Sequence, residues 1–298
     1  MKILLPVDLS QPIQPTISIL RATAQLADSD LHLLYVQETL PAYESVLKTA
    51  GSFVDDWETQ LKAKAQQQLE EWAALLKPQC HSVSCEIARG PAFMTINSIA
   101  DDGAFDLTVL SPRLRSFTEK FLLGSVSSRV ADSIKRTVLI ARPLKSQVDS
   151  LKNVVIGFDG SANAKVAIQV ALKIFRLKES QPKLTVAYSV DVAAPVKLLS
   201  PVSFISSIEQ NLLMQGEVFL AEAQKMLADQ GMKNIDCCLI EGDPAAELIK
   251  IAEETAAELI IIGARGLSEI EHFLLGSVSH KVATHAPCSV AVIKTKSH

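Results

Sequence analysis

The chain spells one phrase twice. FLLGSVSSRVA begins at Phe121 and FLLGSVSHKVA at Phe273, with nine identities in eleven residues, 152 positions apart. Self-similarity at a fixed offset marks a duplicated structural unit, and it constrains the architecture before any local signal does. Nearly the same offset aligns the rest of the chain. ILLPVDLS (3–10) lies over VVIGFDGS (154–161), which sets Asp8 over Asp159. LHLLYV (31–36) lies over KLTVAYS (183–189), and CEIARGPA (85–92) over CCLIEGDPA (237–245). FDLTVLSPR (105–113) meets AELIIIGAR (257–265), and TVLIARP (137–143) meets SVAVIKT (289–295). The polar, proline-marked stretch PLKSQVDSLK separates the copies. Two domains follow, 1–143 and 152–298, each of a size that closes its own core.

Within each copy, short apolar runs alternate with helical stretches. KILLPV, LTVL, NVVIGF and ELIIIG are apolar at consecutive positions, as expected of strands buried on both faces of a parallel sheet. FVDDWETQLKAKAQQQLEEWAALLKP repeats its apolar residues at helical spacing and stops at Pro78. Trp57 and Trp72 in this segment are expected to anchor the core. Five strands and four helices per copy give an α/β class, two tandem five-stranded parallel doubly wound sheets of Rossmann-like type. The apolar content of 48% is enough for two cores. A net charge of −4 without a basic tract argues against nucleic acid as a partner. No run of 18 apolar residues is present, so no membrane span is expected, and the first apolar run is too short for a secretory leader. Five cysteines without metal-ligand spacing read as buried reduced thiols in a cytoplasmic protein, with no metal site.

On doubly wound sheets ligands sit beyond the carboxyl ends of the strands. In the second copy the strand ELIIIG runs into GARGLSEIEHFLLGSVSHKVA, giving G-x2-G-x9-G-S from Gly263, Gly266, Gly276 and Ser277. Gly263 ends a strand without a Cβ, and Gly266 is expected to take positive φ and turn neighbouring N–H groups inward. Gly276 and Ser277 open the next helix, whose first N–H groups attract an anion. Arg265 adds a charge. Glycines that only shape a turn, beside a helix start that is only a cap, would be the plainer reading of either fragment alone. Both fragments at this spacing, after a buried strand, favour a polyphosphate cradle.

Three segments together, VVIGFDGSANAKVA, GDPAAELI and the G-x2-G-x9-G-S pattern, resemble the universal stress protein family, specifically its ATP-binding branch. The resemblance covers essentially the whole chain as a tandem pair and implies an adenine nucleotide alpha hydrolase-like fold. It implies ATP as the cofactor, with ADP or AMP as alternatives, and Mg²⁺ brought in by the phosphates. By that resemblance Gly157, Phe158 and Asp159 end strand one beside the adenine, and the main chain at Ser189 meets the base edge. Gly263, Arg265 and Gly266 line ribose and phosphates, while Gly276, Ser277, Val278 and Ser279 hold the terminal phosphates through backbone N–H groups.

The first copy departs from the pattern. Gly263 falls on Ser111, Ala264 on Pro112 and Gly266 on Leu114; Arg113 matches Arg265, and Gly124 and Ser125 survive. Its counterpart site, Asp8, Val36, Arg113, Gly124 and Ser125, is therefore expected to be degenerate, leaving one nucleotide per chain in the second half. The last strands, TVLIA and SVAVI, are apolar edges that would be exposed unless paired. In the family subunits associate through this strand, so the tandem chain is expected to form an intramolecular pseudo-dimer, with a homodimer of tandem chains as an alternative. Three functions are in contention. One is a cytoplasmic stress-response or signalling adaptor that binds ATP and an unidentified protein partner. The second is a slow ATPase or phosphotransferase, against which stands the lack of a Walker lysine and of a placed catalytic base. The third is an interaction module that binds no nucleotide.

Overall fold

The computed structural model describes residues 1–38, 52–111, 123–144, 150–192, 198–266 and 275–294. The first half runs β1 (Lys2–Val7), α1 (Gln14–Thr23), β2 (Asp30–Gln37), α2 (Ser52–Leu76), β3 (Ser82–Arg89), α3 (Ala92–Asp102), β4 (Leu107–Leu110), α4 (Ser125–Ser133) and β5 (Thr137–Ile140). The second half repeats the order: β6 (Asn153–Gly157), α5 (Ala162–Ile174), β7 (Lys183–Val190), α6 (Val202–Asp229), β8 (Ile235–Glu241), α7 (Pro244–Glu254), β9 (Leu259–Gly263), α8 (Ser277–His285) and β10 (Ser289–Ile293). An additional single turn, Leu177–Ser180, follows α5.

The two sheets are one. Ten strands lie in the order β3-β2-β1-β4-β5-β10-β9-β6-β7-β8. Every pairing within a half is parallel, while β5 and β10 pair antiparallel, with Val290 opposite Ile140, Ala291 opposite Leu139 and Val292 opposite Val138. The apolar last strands of the two copies thus cover each other. A second contact lies on the α1 side, where Ala24 and Phe175 form an antiparallel bridge and the Arg176 N–H donates to the Thr23 carbonyl at 2.7 Å.

The strands are buried on both faces, as their composition requires. Alternate residues of a strand serve two different cores. Ile3, Leu5, Val154, Ile156 and Ile261 point to the face covered by α1, α2, α5 and α6. Leu4, Val155, Ile260 and Ile262 point to the face of α3, α4, α7 and α8. Trp72 is buried in the first of these cores. The side chain of Trp57 lies outside the described residues, as does most of the linker (145–149). Each buried Leu, Ile or Val contributes on the order of 1.5–3 kcal/mol, which is why these runs dictate strand placement.

The cysteines depart in part from expectation. All five are free thiols, but only Cys288 is buried, and Cys237 is exposed. Among the described residues no helix is long and apolar enough to cross a membrane, and no His/Cys/Asp/Glu group is arranged to hold a metal.

Candidate functional site

Strand order in each half reverses between the first and fourth strands, and on doubly wound sheets the crevice that takes a ligand lies beyond the carboxyl ends at such a reversal. In the second half those ends are Gly157 of β6 and Gly263 of β9, joined through the pairs Val155–Ile260 and Ile156–Ile261. The residues following them meet there. Asp159 accepts the Ser161 N–H at 3.0 Å, and the Ser161 hydroxyl caps α5 by accepting the Ala164 N–H at 3.1 Å. The turn between them needs Gly160, whose φ is +77°.

Gly266 belongs to the crevice for a different reason than its sequence suggested. Positive φ among the described glycines is found at Gly90, Gly160, Gly231 and Gly242, not at Gly266. What requires a glycine is closeness: a Cβ there would stand 2.4 Å from Oδ2 of Asp159. Gly266 thereby stands close against the carboxylate that follows β6. At Gly263 a Cβ would lie 3.3 Å from the Arg265 carbonyl and 3.9 Å from Cβ of Ala167. The end of β9 is also tied to α8, since the Ser279 hydroxyl donates to the Gly263 carbonyl at 2.7 Å.

The start of α8 supplies the donors. Its N-cap is Gly276, with no side-chain cap, and its first intrahelical bond runs from His280 N–H to the Gly276 carbonyl at 3.0 Å. The N–H groups of Ser277, Val278 and Ser279 precede that bond and have no intrahelical partner, and none elsewhere among the described residues. Ser277 is exposed, Val278 half-buried and Ser279 buried. Gly276 itself is a correction: its N–H donates to the Ala264 carbonyl at 2.7 Å, so its amide is spent on the loop. Arg265 is half-buried beside this start.

Two expected residues contribute differently. The Phe158 ring is buried in the core, and its N–H bonds the Ala187 carbonyl at 3.0 Å, so its side chain does not line the crevice. Gly157 lets Ile262 and Leu248 approach, to 2.9 and 3.0 Å of where a Cβ would be. Ser189, at the end of β7, donates its hydroxyl to the Gly242 carbonyl at 2.7 Å and so joins β7 to the turn before α7. Sequence reasoning left Asp243 unassigned. It caps α7 by accepting the Ala246 N–H at 2.9 Å and pairs with Lys281 of α8 at 2.9 Å. An Asp before a Pro-initiated helix was the available signal.

The first half fills the same place with side chains. Asp8 accepts both the N–H and the hydroxyl of Ser10, at 3.0 and 2.6 Å. Ser111, standing where the second half has Gly263, is hydrogen-bonded through its hydroxyl to Thr16, which takes the place of Ala167. The Ser127 hydroxyl still reaches the Ser111 carbonyl, at 3.5 Å, as Ser279 reaches Gly263. Gly124 begins α4 without a side-chain cap, Ser125 is exposed and Val36 is half-buried. Arg113, Pro112 and Leu114 lie outside the described residues.

A doubly wound α/β unit, present twice and merged through its last strands, with a glycine-lined crevice at the strand-order reversal, defines the class. The particular family follows from comparison: the universal stress protein family model matches residues 1–142 and again 150–294, so the chain belongs to that family as a tandem member. A universal stress protein of Methanocaldococcus jannaschii is 36% identical over 143 residues, spanning 48% of this chain and 82% of that protein. The YxiE universal stress protein of Bacillus subtilis is 30% identical over 147 residues, 47% of this chain and 97% of its own. The crystal structure of a universal stress protein from Archaeoglobus fulgidus superposes over 98% of this chain and 96% of that one, with a TM-score of 0.67 at 21% identity, a likeness of fold.

Proposed function

We propose that this tandem universal stress protein binds one adenine nucleotide, ATP, in its second half and acts in the cytoplasm as an adaptor whose occupancy selects a protein partner. The observation that carries the reading is the convergence of the uncapped α8 start with a glycine whose missing Cβ admits the Asp159 carboxylate. Main-chain N–H groups with a helix dipole behind them favour phosphate oxygens, and a carboxylate across the crevice suits hydroxyl or amino donors of a nucleoside. The residues present fit ATP: Ser277, Val278 and Ser279 offer N–H groups to phosphates, with Arg265 adding charge, and Asp159 and Ser189 stand toward the nucleoside. Mg²⁺ enters with the phosphates. In the first half the Ser111–Thr16 pair occupies the corresponding space, which supports a single site per chain.

The test is a titration of ligand-free protein with ATP by calorimetry, beside quantification of nucleotide released on denaturing fresh protein. One equivalent is expected, and Gly276→Val, which crowds the Ala264 carbonyl already 3.4 Å from a Cβ at that position, should weaken binding at least about tenfold. Two equivalents, or one that survives Gly276→Val unchanged, would sink the assignment.

A further inference from the structure

The helix that offers its N-terminus to the crevice is held at its other end by the opposite half of the molecule. Arg142 follows β5 of the first half and is 2% exposed, yet no acidic partner faces it among the described residues. Its Nη2 instead donates to the Ala283 and Thr284 carbonyls of α8, at 2.8 and 3.0 Å. These are orphan carbonyls of the last turn, and a cation there satisfies them and complements the helix dipole. The main chain of Arg142 is fixed as well, its N–H donating to the Ser289 hydroxyl of β10 at 3.0 Å. Its Nε is buried without a hydrogen-bond partner among the described residues. Burial holds the guanidinium down to about 10, a sign of how unfavourable the location is for a charge. A buried, half-satisfied cation is a poor stabiliser, so its place at the end of α8 calls for another role.

The arrangement is reciprocal. At the position 152 residues later stands Lys294, whose Nζ donates to the Ala131 and Ile134 carbonyls at the end of α4, at 2.7 and 2.5 Å. Each half thus supplies the cation that ends the other half's last helix. The two helices are also joined by His280 and Asp132 at 3.7 Å.

We propose that Arg142 is a positioning residue for the second half's anion cradle: by anchoring the C-terminus of α8 it sets the helix start, so the first half completes a site it does not itself form. This rests on the nucleotide reading for its ligand, but the anchoring stands on the geometry of α8. A helix of nine residues is about 13 Å long, so the anchored end lies about two and a half turns from the start that faces the cradle.

The experiment uses the full chain with Arg142→Met, which keeps the volume and removes the donors, and Arg142→Lys, which copies Lys294. Amide hydrogen exchange over 276–285 is followed in ligand-free protein, and ATP affinity is measured by calorimetry. Arg142→Met is expected to speed exchange in α8 selectively, about fivefold or more, and to weaken ATP about tenfold, with Arg142→Lys restoring most of both. Unchanged α8 exchange, or an equal rise across β6–β9 that marks general destabilisation, would overturn the proposal, as would a lysine that restores nothing. If wild-type protein binds no nucleotide, the functional reading fails while exchange in α8 still decides the anchoring. Should Arg142→Met not fold, Arg142→Gln keeps one donor nitrogen without the charge and is expected to shift both readouts in the same direction; no shift counts against the role.

Discussion

A methyl group on Gly266 would arrive 2.4 Å from Oδ2 of Asp159, while one on Gly160 would arrive 2.5 Å from the Phe219 ring on a backbone at φ +77°. The two glycines therefore answer differently to alanine. At Gly266 the obstacle is one carboxylate oxygen at the far end of a side chain, which a rotation of that side chain can move aside. Gly266→Ala is expected to cost less than about 1 kcal/mol of stability yet to weaken nucleotide binding, because Asp159 leaves its position. Gly160→Ala meets both a ring and an unfavourable φ, and should cost about 2 kcal/mol or more. Urea denaturation of both variants with an ATP titration of the first separates the cases; equal losses of stability would contradict the distinction.

Among the elements, α7 shows how one residue joins two helices. Asp243 caps α7 and pairs with Lys281 of α8, whereas the counterpart helix α3 begins at Pro91 with no side-chain cap. The Lys281 hydrogen bond and then the Ala246 N–H hold the Asp243 carboxyl below its ordinary value of 3.8. A depressed carboxyl contributes stability that is present above the unfolded value and lost as pH falls through the folded one. Asp243→Ala should therefore cost about 1 kcal/mol at pH 7 and progressively less as the pH falls below 3.8, read as the difference in urea midpoint between variant and wild type. The elements themselves were legible in the sequence because strands such as β4 and β9 carry apolar residues for both faces, a pattern few other structures tolerate. The helix starts at Gly124 and Gly276 were legible in the repeated phrase. The close approach that Gly266 permits and the spent amide of Gly276 were not, because sequence spacing cannot distinguish a glycine chosen for φ from one chosen for closeness. The clasp by Arg142 and Lys294 was visible only as two basic residues at one offset, with nothing local to say that each reaches the other half.

For the whole molecule, Lys294 couples the junction between halves to pH. Burial lowers its ammonium to about 7, with Asp132 opposing, Arg265 reinforcing and Asp101 opposing in turn. Between about 7 and the ordinary 10.5 the unfolded chain holds a proton that the folded one has released, so stability rises with pH across that window. The slope from this one site is at most about 1.4 kcal/mol per pH unit. Lys294→Met should remove it: the wild type gains on the variant in urea midpoint from pH 7 to pH 9. Parallel pH profiles for the two proteins would mean that Lys294 is not the responsible group. A pair of identical chains meeting at a twofold axis must accept every mutation twice, once on each side. Here the two sides are one polypeptide, joined along β5 and β10, and they differ: one copy has arginine where the other has lysine, and serine and threonine fill what glycine and alanine leave open. Covalent fusion frees each copy from its own mirror image, so one can specialise in holding a ligand while the other becomes its scaffold.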